Sequence, residues 1–282
     1  KEKIVRVIVF PNCKINLGLS IAGKRADGYH DIQTVFYPLP LQDVLEAVRQ
    51  QDPAKGMQFT LSGLPVDGDP ADNLCVRAWQ LLQRDFPQLP PVQMHLHKAI
   101  PMGAGLGGGS ADGAFALKLL NEKFQLGLTT DQLLDYALQL GSDCPFFIIN
   151  KPCIASGRGE QLQPIPLDLS PFAVLLVHPP IHINTGWAFS QITPVDTRKP
   201  VAEIIQQPVY TWKKELVNDF EGPVCRQYPA MQTIKDKLYE AGAAYASMTG
   251  SGSCFFGIFP KNHLPEAISF EGDYKLYRIQ AI

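Results

Sequence analysis

The sequence predicts an α+β fold, and three observations support this prediction. Alternating apolar and polar residues predict strands, and apolar stripes at helical spacing predict helices between them, without the regular βαβ order of a doubly wound sheet. Two glycine-rich segments, 101–112 and 249–253, each adjoin a predicted strand. The chain has 282 residues, 45% hydrophobic and 18% charged, which is enough for one large or two modest globular domains.

The predicted elements follow one another in a mixed order along the chain. Strands are expected at 5–10, 14–21, 33–37, 44–48, 58–61, 92–97, 173–178, 244–248, 254–259 and 274–279. Helices are expected at 73–86, 109–124, 131–139, 185–191 and 229–241. The first of these helices has apolar residues at helical spacing, and Asp72 or Asn73 precedes it as a capping residue.

The strand expected at 14–21 carries two polar side chains on one face. Its apolar residues alternate with Lys14, Asn16 and Gly18. Because successive side chains of a strand point to opposite faces, Lys14 and Asn16 share a face opposite the apolar one. A solvated strand face and a site that uses an ammonium beside an amide both account for this pattern.

Composition and charge exclude several classes of function. The net charge is −2 and no basic block is present, which argues against nucleic-acid and membrane-surface partners. No apolar run reaches the ~18 residues of a membrane span, and charges interrupt the first residues as they do not in a signal peptide. The six cysteines are scattered without a C-x-x-C pair, so neither structural zinc nor a disulfide framework is expected. We therefore expect a cytoplasmic protein.

The most informative segment is a glycine loop that leads into a predicted helix. It consists of Pro101, Met102, Gly103, Ala104, Gly105, Leu106, Gly107, Gly108, Gly109, Ser110 and Ala111. Glycine permits positive φ and close approach of the backbone to a ligand, and a helix start offers free N–H groups and the positive end of the helix dipole. This combination is typical of a phosphate site.

Two standard phosphate loops fit this segment poorly. A Walker A loop requires a lysine after its glycines, and none follows here. The dinucleotide pattern G-x-G-x-x-G matches Gly103, Gly105 and Gly108. It also requires a second strand that ends in Asp or Glu about 20 residues later, where this sequence predicts helix. A tight turn between strand and helix, without any ligand, is the structural alternative.

The pattern P-x-G-x-G-L-G across the glycine loop resembles the ATP loop of the kinase superfamily that includes galactokinase, homoserine kinase, mevalonate kinase and phosphomevalonate kinase. A second glycine turn, 248–255, and the segment 11–17 resemble the other two motifs of that superfamily. The resemblance implies a two-domain, ATP-dependent small-molecule kinase with its active site in the interdomain cleft. An N-terminal domain (1–160) binds ATP, and a C-terminal domain (161–282) contributes to acceptor binding. Mg²⁺ is implied as a second cofactor, with ligands that the sequence does not identify.

A narrower resemblance concerns the acceptor. The segments 11–17 and 23–30 together resemble the branch of the superfamily that phosphorylates the 2-hydroxyl of a cytidine diphosphate-linked methylerythritol, in the non-mevalonate synthesis of isoprenoid precursors. Four further segments are similar to that branch, at 72–74, 141–147, 157–160 and 218–220. The implied partner is therefore a small molecule, with neither nucleic acid nor membrane.

The resemblance assigns the chemistry to Lys14 and Asp143. Asp143 lies in a Gly-Ser-Asp-Cys-Pro segment after a predicted helix, where an Asp is otherwise a turn residue. In the implied arrangement it takes the proton of the acceptor hydroxyl. Lys14 lies beside it, keeps it ionised, and stabilises the developing alkoxide or the γ-phosphate.

The remaining implied roles concern binding. Asn16 orients the acceptor, and Tyr29 and His30 recognise cytosine, with Phe189 stacking on the base from the other side. Further positions are implied to contact the acceptor (Thr185, Gly250, Ser251) and to line the adenine pocket (Asn73, Lys98). Plainer alternatives are core packing for Phe189, a tight hairpin at 250–252 and a solvated strand end at Lys98.

Three other functions stay open at this point. The first is another small-molecule alcohol kinase of the same superfamily. The second is a ligand sensor that keeps the fold without catalysing a reaction, and the third is a dinucleotide-dependent oxidoreductase. A cytosine-binding pair at Tyr29 and His30 argues against the first, since homoserine and mevalonate carry no base. The presence of both Lys14 and Asp143 argues against the second, and the absence of a second Rossmann strand argues against the third.

Overall fold

The computed structural model describes residues 7–194 and 198–280. The chain forms two compact units. The first unit comprises the described residues of Lys1–Cys13, Leu41–Met102 and Gly107–Asn150. The second comprises those of Lys14–Pro40, Gly103–Leu106 and Lys151–Ile282. The predicted division at residue 160 concerned which part binds ATP and which part binds the acceptor, and it stays a prediction.

Twelve strands and nine α-helices are described within residues 7–194 and 198–280. The strands are β1 (Val7–Val9), β2 (Asn12–Lys24), β3 (His30–Gln42), β4 (Val44–Arg49), β5 (Gln58–Gly63), β6 (Val92–Lys98), β7 (Cys153–Ser156), β8 (Gln161–Pro164), β9 (Phe172–His178), β10 (Tyr245–Met248), β11 (Phe255–Pro260) and β12 (Lys275–Gln280). The helices are α1 (Leu74–Asp85), α2 (Gly108–Phe124), α3 (Thr130–Leu140), α4 (Cys144–Ile149), α5 (Thr185–Ser190), α6 (Val201–Ile204), α7 (Trp212–Glu215), α8 (Glu221–Gln227) and α9 (Pro229–Glu240).

The first unit is a four-stranded sheet with a helical layer. The strand order is β1-β4-β6-β5, and β5 runs parallel to β6 while the other neighbours are antiparallel. Helices α1 to α4 pack against one another, and α2 also packs on β1 and β4. Alternate residues of β4 and β6, such as Leu45 and Leu96, are fully buried. The period of two in the sequence therefore marks the buried face of this sheet.

Local sequence signals set the helix ends in the first unit. The Asn73 side chain caps α1 by accepting a hydrogen bond of 2.9 Å from the Cys75 N–H, as predicted. Thr129 and Gln132 form a reciprocal capping box at the start of α3. Helix α2 follows Gly107, whose φ of 71° lies in the left-handed region. The glycine loop therefore leads directly into this 17-residue helix.

The second unit contains two further sheets. One has the order β2-β3-β7-β8, and the other has the antiparallel order β10-β11-β9-β12. Helix α9 packs on β10 and β11. The core between these elements includes Leu175, Val177, Ala246 and Phe255, all fully buried.

The predicted strands and helices are present, with shifted ends. Strand β2 covers the 14–21 prediction but is 13 residues long. The strand predicted at 5–10 appears as β1, and Val5 and Arg6 lie outside the described residues. No helix within residues 7–194 and 198–280 combines the length and the apolar character needed to cross a membrane.

Several short elements were not predicted, and α4 is the most important of them. Its sequence, Cys-Pro-Phe-Phe-Ile-Ile, has no polar face, so it carries no amphipathic signal. Five of its six residues are buried, which explains why an apolar run without periodicity is helical here. Helix α8 contains Gly222 and Pro223, which are typical of turns rather than of helices.

Candidate active site

The polar face of β2 is buried rather than solvated. Lys14 is 4% exposed and Asn16 is 1% exposed. The Lys14 Nζ donates a hydrogen bond of 2.6 Å to the Asn16 Oδ1, and it lies 4.8 Å from the centre of the Phe36 ring. The prediction that Lys14 and Asn16 share a face is confirmed, and the interpretation as a solvated face is wrong. A buried ammonium beside an amide is a costly arrangement that is typical of functional sites.

The glycine loop has the backbone that its sequence predicts. Gly103, Gly105 and Gly107 have φ values of 64°, 76° and 71°. A Cβ atom on Gly105 would lie 2.1 Å from the Thr249 carbonyl oxygen, so only glycine fits there. Ala104 does not have a positive φ, and the alanine at this position is therefore compatible with the loop. The loop leads into the N-terminus of α2, where free N–H groups favour an anion.

Buried charges flank this loop within the first unit. The Lys98 Nζ forms ion pairs with the carboxylates of Asp43 and Asp112, and the second of these measures 2.6 Å. The Asp43 Oδ1 also accepts hydrogen bonds of 2.6 Å and 2.9 Å from the N–H groups of Ala99 and Ile100. Lys98 ends β6 before the loop and Asp112 lies in α2 after it. The three charged side chains therefore connect the two ends of the loop.

The charged triad corrects one interpretation of Lys98. Its side chain is fully buried, so the strand end is not solvated. Burial alone would lower the pKa of Lys98, but the charges of Asp112 and Asp43 more than offset it and raise that pKa. Burial raises the pKa of Asp112 to about 8, and Asp43 contributes to the increase while Lys98 opposes it. An adenine contact of Lys98 stays a prediction, and its ammonium already has two partners.

The predicted base and the end of the glycine loop lie in the first unit. Asp143 is partly buried and immediately precedes α4. Ser110 lies in the first turn of α2, and its hydroxyl forms a hydrogen bond with the Cys144 thiol. Lys14 belongs to the second unit, so its predicted proximity to Asp143, and the predicted interdomain cleft, stay predictions.

Three aromatic residues predicted to bind cytosine lie in the second unit. The His30 and Phe189 rings are stacked, with centroids 4.8 Å apart and planes at 20°. Phe189 also packs edge-on against the buried Phe220, at 4.9 Å. Tyr29 is 56% exposed, and the Arg158 guanidinium lies 5.0 Å from the centre of its ring. Core packing therefore accounts for one edge of Phe189, and the exposed Tyr29 ring is accessible to a ligand.

The second glycine turn connects β10 and β11, as predicted. The hydroxyls of Ser251 and Thr185 are 3.0 Å apart, so two predicted acceptor contacts lie together. Asn218 donates hydrogen bonds of 2.7 Å and 2.8 Å from its Nδ2 to the carbonyls of Met248 and Gly250. The turn is therefore more than a plain hairpin, because a buried side chain fixes it from outside.

Sequence reasoning missed four residues of the candidate active site. Thr249, Thr34 and Arg158 lie in or next to noted motifs but were given no role. Asp112 directly follows the glycine loop, and its only signal was that it is the one charged residue of 108–117. Among the described residues, no group of three or more His, Cys, Asp or Glu side chains is arranged to hold a metal ion.

Comparisons with known proteins agree with the predicted fold and kinase class. A model of the GHMP kinase N-terminal domain matches residues 73–151, and a model of the GHMP kinase C-terminal domain matches residues 202–271. The crystal structure of a mevalonate kinase from Methanococcus jannaschii shares the fold, with a TM-score of 0.71 and 13% identity over 99% of each chain. Fold and family models together define an ATP-dependent kinase of the GHMP class, which confirms the predicted kinase fold.

More similar relatives narrow this class. A 4-diphosphocytidyl-2-C-methyl-D-erythritol kinase from Bacteroides fragilis is 50% identical over 95% of this chain and 97% of its own length. The enzyme of that name from Cytophaga hutchinsonii is 49% identical over 92% of this chain and 94% of its own length. A crystal structure of a 4-(cytidine 5'-diphospho)-2C-methyl-D-erythritol kinase has a TM-score of 0.77 and 30% identity, over 91% of this chain and 92% of its own. The chain belongs to the 4-diphosphocytidyl-2-C-methyl-D-erythritol kinase family.

Proposed function

We propose that this protein transfers the γ-phosphoryl group of ATP to the 2-hydroxyl of 4-diphosphocytidyl-2-C-methyl-D-erythritol. The observation that carries the proposal is the buried pair of Lys14 and Asn16, whose ammonium suits an anionic reaction centre, in a chain that is 50% identical to a kinase of that name. The presence of an Asp at 143 as well as Lys14 argues against a ligand sensor, which needs no group to accept a proton.

Lys14 and Asp143 carry the chemical step in this proposal. Asp143 accepts the proton of the acceptor hydroxyl as it attacks, and such help contributes ~10²–10⁴-fold. Phosphoryl transfer has a loose transition state, so correct placement of the hydroxyl matters as much as its deprotonation. Lys14 stabilises the negative charge on the transferred group, and Asn16 fixes the ammonium through their hydrogen bond.

The acceptor is held by side chains of the second unit. Tyr29, His30 and Phe189 provide aromatic faces for cytosine, and a base inserted between His30 and Phe189 would have to separate two stacked rings. The paired hydroxyls of Thr185 and Ser251 provide hydrogen-bond partners for the polyol or the diphosphate, next to the backbone of Gly250.

The nucleotide is held by the glycine loop and the N-terminus of α2. The loop suits phosphate groups because positive φ values at Gly103, Gly105 and Gly107 lead its backbone into the helix N-terminus, where N–H groups are free. The Asn73 backbone N–H and carbonyl bond to Pro70 and Arg77, and its Oδ1 caps α1, so its Nδ2 is the group that we assign to the adenine. Mg²⁺ neutralises phosphate charge in such transfers. Phosphate oxygens with the Ser110 hydroxyl fit this hard cation, which takes few protein ligands.

The proposal is tested by ADP release with Mg-ATP and 4-diphosphocytidyl-2-C-methyl-D-erythritol, with homoserine and mevalonate as alternative acceptors. We expect turnover only with the cytidyl acceptor. Turnover with homoserine or mevalonate instead would assign the protein to another alcohol kinase of the class. Binding of the cytidyl acceptor and ATP without turnover would favour the sensor. Cytoplasmic location and the absence of nucleic-acid and membrane partners stay predictions.

A further inference from the structure

Thr249 lies at the centre of a buried hydrogen-bond network in the second unit. Its side chain is fully buried. The Thr249 Oγ1 accepts a hydrogen bond of 3.0 Å from the Asn16 N–H. Its own proton faces two acceptors, the Gly105 carbonyl at 3.0 Å and the Asn16 Oδ1 at 3.2 Å. A single hydroxyl therefore contacts both the strand that carries Lys14 and the ATP loop.

The network continues from Thr249 to the Lys14 ammonium. The Asn16 Oδ1 that faces Thr249 also accepts the hydrogen bond from the Lys14 Nζ, at 2.6 Å. At the other end of this amide, the Nδ2 donates a hydrogen bond of 3.1 Å to the Thr34 Oγ1. Both ends of the Asn16 amide are thus fixed, and a rotation of this amide would displace the partner of the ammonium.

The same residue lies against the ATP loop. A Cβ at Gly105 would be 2.1 Å from the Thr249 carbonyl oxygen, so the two backbones are in direct contact. The Lys14 N–H donates a hydrogen bond of 2.9 Å to the Leu106 carbonyl. The Cys254 N–H donates one of 3.2 Å to the Ala104 carbonyl. The carbonyls of 104, 105 and 106 are therefore bound by β2 and by the turn around Thr249.

The turn itself is fixed by Asn218. This residue lies in the 218–220 segment, which resembles the family but was assigned no role from the sequence. Its Nδ2 donates hydrogen bonds to the carbonyls of Met248 and Gly250, on either side of Thr249. Its Oδ1 accepts a hydrogen bond of 3.0 Å from the Phe220 N–H. Both polar atoms of this amide are used, in three hydrogen bonds to backbone groups, which makes the side chain a rigid support.

We propose that Thr249 is a positioning residue that sets, through its hydroxyl, both the orientation of Asn16 beside Lys14 and the course of the ATP loop at Gly105. This inference rests on the proposed phosphoryl transfer. Thr249 does not touch the reacting groups, because its hydroxyl is occupied by protein partners. Its effect is to keep Asn16 and the ATP loop in fixed positions relative to each other. A displacement of ~1 Å in a reaction centre can lower the rate ~10²-fold.

Thr249→Val is the direct test, because valine has the same shape and lacks the hydroxyl. We expect kcat to fall about 10- to 100-fold and the KM for ATP to rise, with a smaller rise in the KM for the cytidyl acceptor, which Asn16 is predicted to orient. Thr249→Ser retains the hydroxyl and should keep kcat and both KM values within about threefold of the wild type. A purely structural role would lower the folded fraction without this split between the two KM values.

Ser253→Ala is a matched control from the same turn. The Ser253 hydroxyl is buried and has no hydrogen-bond partner within residues 7–194 and 198–280, so its loss should leave kcat unchanged. If Thr249→Val does not fold, Thr249→Ala makes the same test, because it leaves room for a water molecule at the Asn16 N–H.

Two outcomes would overturn the inference. One is kcat and KM values of Thr249→Val, or of Thr249→Ala where valine does not fold, within about threefold of the wild type. The other is an equal loss in Thr249→Ser, which would assign the effect to packing of the methyl group. If the wild type does not phosphorylate the cytidyl acceptor, the proposed function fails. The inference is then tested separately by calorimetric ATP binding, which Thr249→Val should weaken and Thr249→Ser should not.

Discussion

Asp112 offers a sharp prediction about stability and pH. Its carboxyl group is buried with Asp43 beside a single cation, Lys98. The Asp112 Oδ1 has no hydrogen-bond partner among the described residues. Cys75 also faces the three charges, and burial raises the pKa of its thiol well above the usual value, so it stays neutral. Two ionised carboxylates with one ammonium would leave a net negative charge in the core, and we expect Asp112→Asn to remove this problem.

The magnitude follows from the pKa of Asp112, which burial raises from 3.8 to about 8. The folded protein binds this proton more tightly than the unfolded chain does. Its contribution to stability is therefore complete below pH 3.8 and is lost as the pH rises to about 8. At about 1.4 kcal/mol per pH unit, the wild type loses roughly 4 kcal/mol from this group between pH 5 and pH 8.

Asp112→Asn should abolish this dependence on pH. An asparagine can still accept the Lys98 hydrogen bond, and an unpaired amide N–H₂ would cost about 1–3 kcal/mol at every pH. This cost is the same at every pH. It therefore does not affect how the difference in unfolding free energy between variant and wild type changes with pH. We expect the unfolding free energy of the variant, relative to the wild type, to rise by up to roughly 4 kcal/mol from pH 5 to pH 8.

The assay is urea unfolding followed by circular dichroism at pH 5, 6, 7 and 8. Asp85→Asn is the control: Asp85 is an exposed carboxylate paired with Arg84, which holds the pKa of Asp85 below its ordinary value. This control should show no rise in relative stability over the same range. A constant difference between Asp112→Asn and the wild type from pH 5 to pH 8 would refute the reasoning, since it would mean that Asp112 is ionised throughout.

Three further predictions concern the site. Asp143→Asn should lower kcat at least about 10²-fold and leave the calorimetric Kd for ATP within about threefold, and a near-normal kcat would remove Asp143 from the reaction. Tyr29→Ala should raise the KM for the cytidyl acceptor and not that for ATP, and an unchanged acceptor KM would contradict cytosine recognition. Asn218→Ala should destabilise the protein by about 2–3 kcal/mol in urea unfolding, because two buried carbonyls lose their donor, and a loss below about 0.5 kcal/mol would mean that water replaces the amide.

Much of the local structure was predictable because it depends on near neighbours in sequence. The period of two in 14–21 placed Lys14 and Asn16 on one face, and the glycine pattern predicted the loop before α2. The burial of Asn16 was not predictable, since Thr249 is 233 residues away in the chain. The burial of Lys98 was likewise not predictable, because its partner Asp43 lies 55 residues earlier in the chain. Local patterns carry no information about such distant partners.

Helix α4 and the triad around Lys98 show a second limit. A helix that is apolar on all sides has no periodic signal, and its burial depends on helices α2 and α3, which pack against it. A lone charge in a stretch of small and apolar helical residues, such as Asp112 in 108–117, indicates a buried partner or a functional site without distinguishing between them. Only the packed structure distinguishes them, since it places Asp112 against Lys98.

The central claim is that the phosphoryl group of ATP is transferred to the 2-hydroxyl of the cytidyl acceptor. Phosphorus NMR of the reaction product tests it most directly, with Mg-ATP and 4-diphosphocytidyl-2-C-methyl-D-erythritol as substrates and Asp143→Asn as the control. We predict one new monophosphate ester on the tertiary 2-hydroxyl, formed in step with ADP and at least about 10²-fold more slowly in the control. A phosphate on another hydroxyl, or ADP formed at the same rate without the acceptor, would contradict the claim.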